Sequence, residues 1–319
     1  MILGFIFSII VSILFSVYAV PRKYSKQNVI LYTMFMGIAY FIGSIIIVSI
    51  LWGFRIEEPE NLLNIWHLLT ISRGFVWVLG MAAYNLAIDK IGLTRFNQWK
   101  NIQGPVGALL MLSFFPDIEG TRIIWLLLGM AVMFISALTF QISTEDEKKD
   151  IPRSRANCRS GIIFALFSGV CFGVSALLNS IVSRPSIVGE SFIYSQLLYH
   201  SASLIFFSVI FYIILGNRSS SQKPEPLKER FKNMISIDKK TCLPVIAGSM
   251  FLVATLLTIF SYRLIPNPVA WSITQLNVFW TVLMGLFIFK EIDYKKHWLR
   301  LIAGVLSAVG MCILLFFAL

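Results

Sequence analysis

The chain has 319 residues, of which 57% are hydrophobic and 13% charged, against roughly 25% charged in an average soluble protein. Its 27 Lys and Arg outnumber 16 Asp and Glu, giving a net charge of +11. In a soluble domain that excess would suggest nucleic acid. Here no loop is long enough to build a separate soluble domain, and anionic lipid headgroups account for the charge without a nucleic-acid partner.

Apolar runs of about twenty residues, the length that crosses a bilayer as a helix, predict ten spans. The first, 2–20, carries a Ser8, Ser12, Ser16 stripe suited to helix–helix packing. Its end, SVYAV, resembles a signal-cleavage site, but no basic segment precedes the run, so a first span is expected. The second covers 29–52. The third, 65–88, places Arg73, Trp77, Gly80 and Tyr84 on one face. The fourth, 93–115, carries Asn97, Lys100, Asn101 and Gly104 on one face, with Gln98 and Gln103 beside them. Pro105 removes a backbone donor inside this span and predicts a kink. The fifth covers 123–142.

After a charged linker, 143–160, the sixth span (161–182) shows Ser168, Cys171, Ser175 and Asn179, a small-residue stripe that reads as packing. The seventh, 191–215, carries Gln196, Tyr199, His200 and Ser203. The following loop, 216–242, contains Leu227, Phe231, Met234 and Ile235 at helical spacing. They fit either a short helix on the membrane surface or a plain solvated loop. The eighth span covers 243–264, and the ninth, 269–289, gives Thr274, Gln275, Asn277 and Thr281. The tenth is 297–319. The four cysteines show neither paired disulfide spacing nor a zinc pattern and read as free thiols.

Alternate loops divide the positive charge unequally. Twenty-one Lys and Arg lie in the loops after the odd-numbered spans, including Arg22, Lys23, Lys148, Lys149, Arg230 and Lys295. Four (Arg55, Arg122, Arg184, Arg263) lie in the others, and the remaining two, Arg73 and Lys100, are inside spans. Cytoplasmic loops hold the excess positive charge. The expected placement is therefore a multi-pass protein of the inner or plasma membrane, with both termini facing outward.

The two halves resemble each other. GFIFSIIVSILFSVYA at residue 4 aligns without gaps on GIIFALFSGVCFGVSA at residue 161. The fourth and ninth spans align at an offset of 174, which sets Asn101 against Gln275, Gln103 against Asn277, and Pro105 against Phe279. With no proline at 279, the kink is expected on one side only. Five spans are an odd number, so a repeated five-span unit inserts with opposite orientations, as in secondary transporters with a midplane site. The expected fold is all-α, about ten transmembrane helices as two inverted five-helix repeats. The first repeat is 1–142, the linker 143–160, and the second repeat 161–319 with its cytoplasmic loop 216–242.

Polar groups are costly in hydrocarbon unless satisfied, so these stripes should face the bundle interior. Amides at matched depth on two helices offer paired donors and acceptors, which hydroxyl-rich ligands require, although a purely structural amide network fits the same pattern. Trp77, Trp99 and Trp271 can stack on a sugar ring or serve packing. Arg73 and Lys100 lie about 10–12 Å inside their spans at 1.5 Å per residue. A cation there costs on the order of 2.5–3.5 kcal/mol, and each either snorkels to an interface or meets an anionic or hydroxylated substrate. The candidate substrate-binding residues are Arg73, Trp77, Tyr84, Asn97, Lys100, Asn101, Gln103, Gln196, His200, Gln275 and Asn277. No catalytic residues, metal ligands or resident cofactor are expected.

The stretch GFVWVLGMAAYNLAIDKIGLT, with Trp77, Gly80, Tyr84, Ile91 and Gly92, resembles sugar transporters of the drug/metabolite superfamily. The similarity is greatest to the L-rhamnose–proton symporter and glucose/ribose porter families. VYAVPRKYSK after the first span and GLFIFKEIDYKKHWLRLIAGV at the ninth-span exit fit the same families. The resemblance implies a ten-helix carrier that moves a small polar metabolite by alternating access through a site formed by both repeats.

Arg73 and Lys100 depart from that family pattern. His200 is the sole deep group among the usual proton carriers, so coupling to a proton, to sodium or to no ion stays open. The expected function is sugar transport. The alternatives are a carrier for an anionic metabolite (sugar acid, sugar phosphate or amino acid) using Arg73 and Lys100, and, remotely, a membrane-embedded enzyme, for which no nucleophile–base pair or metal-ligand cluster is visible. The expected partners are a small-molecule substrate and the lipid bilayer, with the protein a monomer or homodimer.

Overall fold

The computed structural model describes residues 1–18, 20–25, 27–54, 65–91, 99–115, 118–139, 155–189, 192–215, 226–235, 241–288 and 294–319. Every described element is a helix. In chain order they are α1 (Ile2–Val17), α2 (Val20–Tyr24), α3 (Val29–Gly53), α4 (Ile65–Ile91), α5 (Gln103–Phe114), α6 (Thr121–Thr139) and α7 (Arg155–Val182). There follow α8 (Pro185–Val188), α9 (Phe192–Leu215), α10 (Leu227–Ile235), α11 (Cys242–Leu264), α12 (Asn267–Thr274), α13 (Asn277–Phe287) and α14 (Tyr294–Phe317).

Six of these are long and apolar enough to cross a bilayer: Ile2–Arg22, Val29–Gly53, Ile65–Tyr84, Cys158–Val182, Tyr194–Leu215 and Cys242–Leu264. They coincide with the expected spans one, two, three, six, seven and eight. Shorter apolar helices, Gln103–Phe114, Thr121–Ile135 and Leu301–Phe317, stand where the fourth, fifth and tenth were expected. The expected ninth span is divided between α12 and α13 by a turn at residues 275–276.

The exterior of this molecule is apolar, and many of its polar side chains are buried. On α3 the outward row Ile42, Ile45, Ile46 and Ile50 is at least 44% exposed, while Tyr40 and Ser44 are fully buried. Gln196, His200, Ser8 and Ser201 are likewise completely buried. An apolar exterior with polar groups gathered inside, among apolar packing, suits a lipid solvent, where it is the polar groups that must turn inward.

The long helices pack in a defined set of pairs. α4 lies along α7, and α1 along α11; α3 lies against α9, and α6 against α14. α3 also meets α11, and α4 meets α9. α5 leans on α7, while α12 and α13 both lean on α1. The serine stripe of α1 works as the sequence suggests. Ser8 Oγ meets Ser261 Oγ at 2.5 Å, Ser16 Oγ donates to the Asn277 carbonyl at 2.5 Å, and Trp280 Nε1 donates to Ser12 Oγ at 2.8 Å.

Between the two readings of the 216–242 loop, the structure has the helix. In α10, Leu227, Phe231 and Ile235 are exposed, while Met234 packs against the cluster of Leu31, Phe35 and Tyr212. Arg230 fastens it by donating from Nη1 to the Ile213 carbonyl, 2.5 Å away near the end of α9.

Candidate functional site

The site is built around two interrupted helices. Residues 99–100 are helical, 101–102 form a turn, and α5 resumes at Gln103. Ile102 N–H donates to the Trp99 carbonyl (3.4 Å) and Gly104 N–H to the Asn101 carbonyl (3.1 Å), each reaching back three residues. Val106 N–H then restores the four-residue step to Ile102 (3.0 Å). The other interruption repeats this pattern bond for bond, 174 residues on. Leu276 donates to Ile273 (3.0 Å), Val278 to Gln275 (3.3 Å), and Trp280 to Leu276 (3.2 Å).

The one-sided kink expected from Pro105 is therefore a correction: the helix yields on both sides, and earlier than the proline. Pro105 falls in the first turn of the resumed helix, where a missing N–H leaves no intrahelical bond unmade. Its missing bond is the one to the Asn101 carbonyl, inside the break, yet the matching break at 275–276 forms without a proline.

The two interruptions face each other. Gln103 Nε2 donates to Gln275 Oε1 at 2.8 Å, and the Gln103 carbonyl accepts from Trp271 Nε1 at 3.3 Å. Gln275 Nε2 is in turn held by the Trp271 carbonyl (3.3 Å) and Thr274 Oγ1 (3.1 Å). Gly107 lets the helices approach this closely, since a Cβ there would collide with the Trp271 indole nitrogen.

Beside the paired amides lies a cavity of about 80 Å³. Arg73, Trp77, Lys100, Gln103, Gln275 and Asn277, all expected from the sequence, line it. Arg73 is 5% exposed, and its Nε and Nη1 have no protein hydrogen-bond partner. Lys100 Nζ sits between two aromatic rings, 6.0 Å from the centroid of Tyr84 and 5.8 Å from that of Phe172. No Asp or Glu is among the described lining residues.

Other expected site residues lie elsewhere. Tyr84 reaches the cavity only as the ring beneath Lys100. Asn101 is buried at the break, its amide oxygen and nitrogen without protein partners, and is not among the lining residues. Gln196 donates to the Val182 carbonyl (3.1 Å) and Ser183 Oγ (3.3 Å), tying α9 to the end of α7. His200 Nδ1 pairs with Tyr40 Oη at 3.3 Å, also outside the lining. Asn97 lies outside the described residues.

Sequence reasoning missed Ser175 and Asn179 of α7 and Thr255 and Thr258 of α11, all of which line the cavity. The first pair belongs to a stripe read as packing. Thr255 and Thr258 give a three-residue spacing in the eighth span that hydroxyls produce equally often when they bond their own helix. Both do so here, to Phe251 (2.9 Å) and Ala254 (2.7 Å). Asn179 Oδ1, by contrast, has no protein partner.

A family model described as Sugar transport protein matches residues 226–318. That stretch begins just before α10 and covers both α12 and α13, so it includes Gln275 and Asn277 but neither Arg73 nor Lys100. No curated protein sequence matches the chain. A solved structure described as "Crystal structure of protein" is similar over 98% of this chain and 98% of its own, at 15% identity and a TM-score of 0.53. At that identity the likeness concerns the fold alone, and it extends over nearly the whole chain. The protein is a transmembrane protein, and its residues 226–318 are similar to sugar transport proteins.

Proposed function

We propose that the protein is a secondary transporter for a small polar metabolite, in the first instance a sugar, working by alternating access through the cavity between its two halves. The observation that carries this reading is the pair of matched interruptions at 101–102 and 275–276, joined by the Gln103–Gln275 hydrogen bond beside a polar cavity. Discontinuous helices at a repeat interface are how such carriers expose backbone and amide groups to a substrate in mid-membrane.

The packing pairs support a two-fold arrangement of five-helix halves. Exchanging the halves turns the α4–α7 contact into α11–α1, the α3–α11 contact into α9–α4, and α5–α7 into the contact of α12 and α13 with α1. The α3–α9 and α6–α14 pairs map onto themselves. On this reading α5 with residues 99–102, α6, α12 with α13, and α14 complete ten spans. Length allows it: residues 267–287 reach about 31 Å at 1.5 Å per residue, close to the roughly 30 Å hydrocarbon core.

The cavity is far below the roughly 300–1,000 Å³ of preformed small-molecule pockets. Loading therefore requires the halves to part, and this conformation is a contracted one. Trp77, Phe251 and Trp271 offer faces for a sugar ring, while Asn179, Asn277, Thr255 and Thr258 offer hydrogen bonds to its hydroxyls.

Counterflow of radiolabelled monosaccharides in proteoliposomes tests the reading. Saturable exchange is expected, and Asn277→Ala should cut it at least tenfold without changing the elution profile of the purified protein. Absence of exchange for any sugar would reject the reading. The distribution of positive loops further supports an outside location for both termini. A reporter fused after Leu319 should be reached by impermeant reagents from outside, and labelling from the cytoplasm alone would overturn the topology.

A further inference from the structure

We infer, resting on the transport reading above, that the substrate carries a negative group, a carboxylate or phosphate ester on a hydroxylated body, recognised by Arg73 and Lys100.

Several other described arginines have a protein contact to answer the guanidinium. Arg22 donates to the carbonyls of Ser25 and Gln27, both at 2.9 Å. Arg230 donates to the Ile213 carbonyl, and Arg184 stacks 3.7 Å from the Phe115 ring centroid. Arg73 is buried in the middle of α4 and lines the cavity with two donor nitrogens left without a protein partner. Its own helix cannot answer it: Asp89, the next acidic residue, is 16 positions further on, about 24 Å along the axis.

Lys100 enters the same cavity from the other side of the interruption. Two ring faces flank it, which suits a cation but does not neutralise it. Two cations facing one small cavity, with no carboxylate among its described lining residues, are mutually repulsive and poorly solvated. For a neutral sugar, amides and hydroxyls serve hydroxyl recognition at lower desolvation cost than two buried cations.

An anion resolves both defects. The free edge of Arg73 can take one side of a carboxylate or phosphate through charge-assisted bonds. Lys100, whose ammonium is a compact point charge, holds the other side. Asn179, Thr255 and Thr258 remain for the hydroxyls of the neutral body. The charge is also asymmetric between the halves, since the position matching Lys100 at the offset of 174 is Thr274. An acidic substrate is thereby held in one orientation, its charged end toward α4 and its neutral body toward α11 and α12.

The test measures equilibrium binding of D-glucose, D-glucuronate and D-glucose 6-phosphate to the purified protein in nanodiscs of neutral lipid, at low and high potassium chloride. Wild type should bind at least one acid roughly thirty-fold or more tightly than glucose, the scale set by truncating one partner of a buried charge pair. Comparison of the two acids tells carboxylate from phosphate. Lys100→Gln should weaken acid binding far more than glucose binding and so remove most of that preference, and Lys100→Arg should keep it. The wild-type ratio stands even if a variant fails to fold.

Glucose bound as tightly as both acids would overturn the inference and leave the sugar-transport reading standing. Binding of none of the three would overturn both. An acid preference unchanged in a folded Lys100→Gln and a folded Arg73→Gln would overturn the assignment to these residues.

Discussion

Laid side by side at the offset of 174, residues 99–114 and 273–288 share a backbone and little else. The three hydrogen bonds that define each interruption match bond for bond, and Ile102 and Leu276 adopt nearly the same angles (φ −56°, ψ −19° and φ −55°, ψ −10°). Yet Lys100 faces Thr274 in this alignment, Pro105 faces Phe279, and Gly107 faces Thr281. Different side chains bend the chain in the same place, so proline cannot be the common cause. What the two share at the bend are amides, Asn101 with Gln103 and Gln275 with Asn277. The side chains that differ give the first interruption what the second lacks, close approach at Gly107 and positive charge at Lys100.

The largest effect that can break this comparison is at Gly107. Gly107→Val drives a side chain into Trp271 and should cost about 1–3 kcal/mol or more as overpacking, read as a fall in the thermal unfolding midpoint in detergent. Thr281→Val at the matching position should be mild. Equal losses would mean that the two breaks are packed alike.

The amide bridge comes next. Gln103→Leu leaves Gln275 Oε1 without its donor in a buried site, at a cost of about 1–3 kcal/mol. The double variant Gln103→Leu with Gln275→Leu should cost less than the sum of the singles, because no partner remains orphaned. Strict additivity in a double-mutant cycle would show that the bridge does not join the halves.

Smallest should be Pro105→Ala. Because Pro105 lies in the first turn of α5, the change should stay within about 0.5 kcal/mol, the usual range for a substitution that disturbs no special feature. A large loss in the same unfolding assay would restore proline as the source of the break.

Much of the fold was legible in the sequence because the signals were long. Apolar runs marked every position where an apolar helix now stands, and the 174-residue offset aligned the two interruptions before either was visible. The site was legible where the residue type is expensive in a membrane, as at Arg73, Lys100, Gln103, Gln275 and Asn277. It was illegible for Thr255 and Thr258, since a hydroxyl that returns its hydrogen to its own helix gives no outward sign of facing a cavity. Gln196 and His200 lie outside the cavity lining. Both are costly groups in a polar stripe, but Gln196 is spent on the end of α7 and His200 pairs with Tyr40.

The serine stripe of α1 bears on how quickly the molecule can change shape. Ser8 already donates to the Gly4 carbonyl (3.1 Å), Ser12 to Ile9 (2.6 Å) and Ser16 to Ser12 (3.1 Å). Each hydroxyl that bridges to α11 or α13 thus has a local carbonyl to fall back on, and separating the helices strands no hydroxyl on α1. Interhelical bonds of this kind are worth only about 0.6 kcal/mol on average in a membrane. On the transport reading proposed above, the face of α1 would act as a low-friction bearing, and turnover should respond to side-chain volume there far more than to the loss of any one hydroxyl.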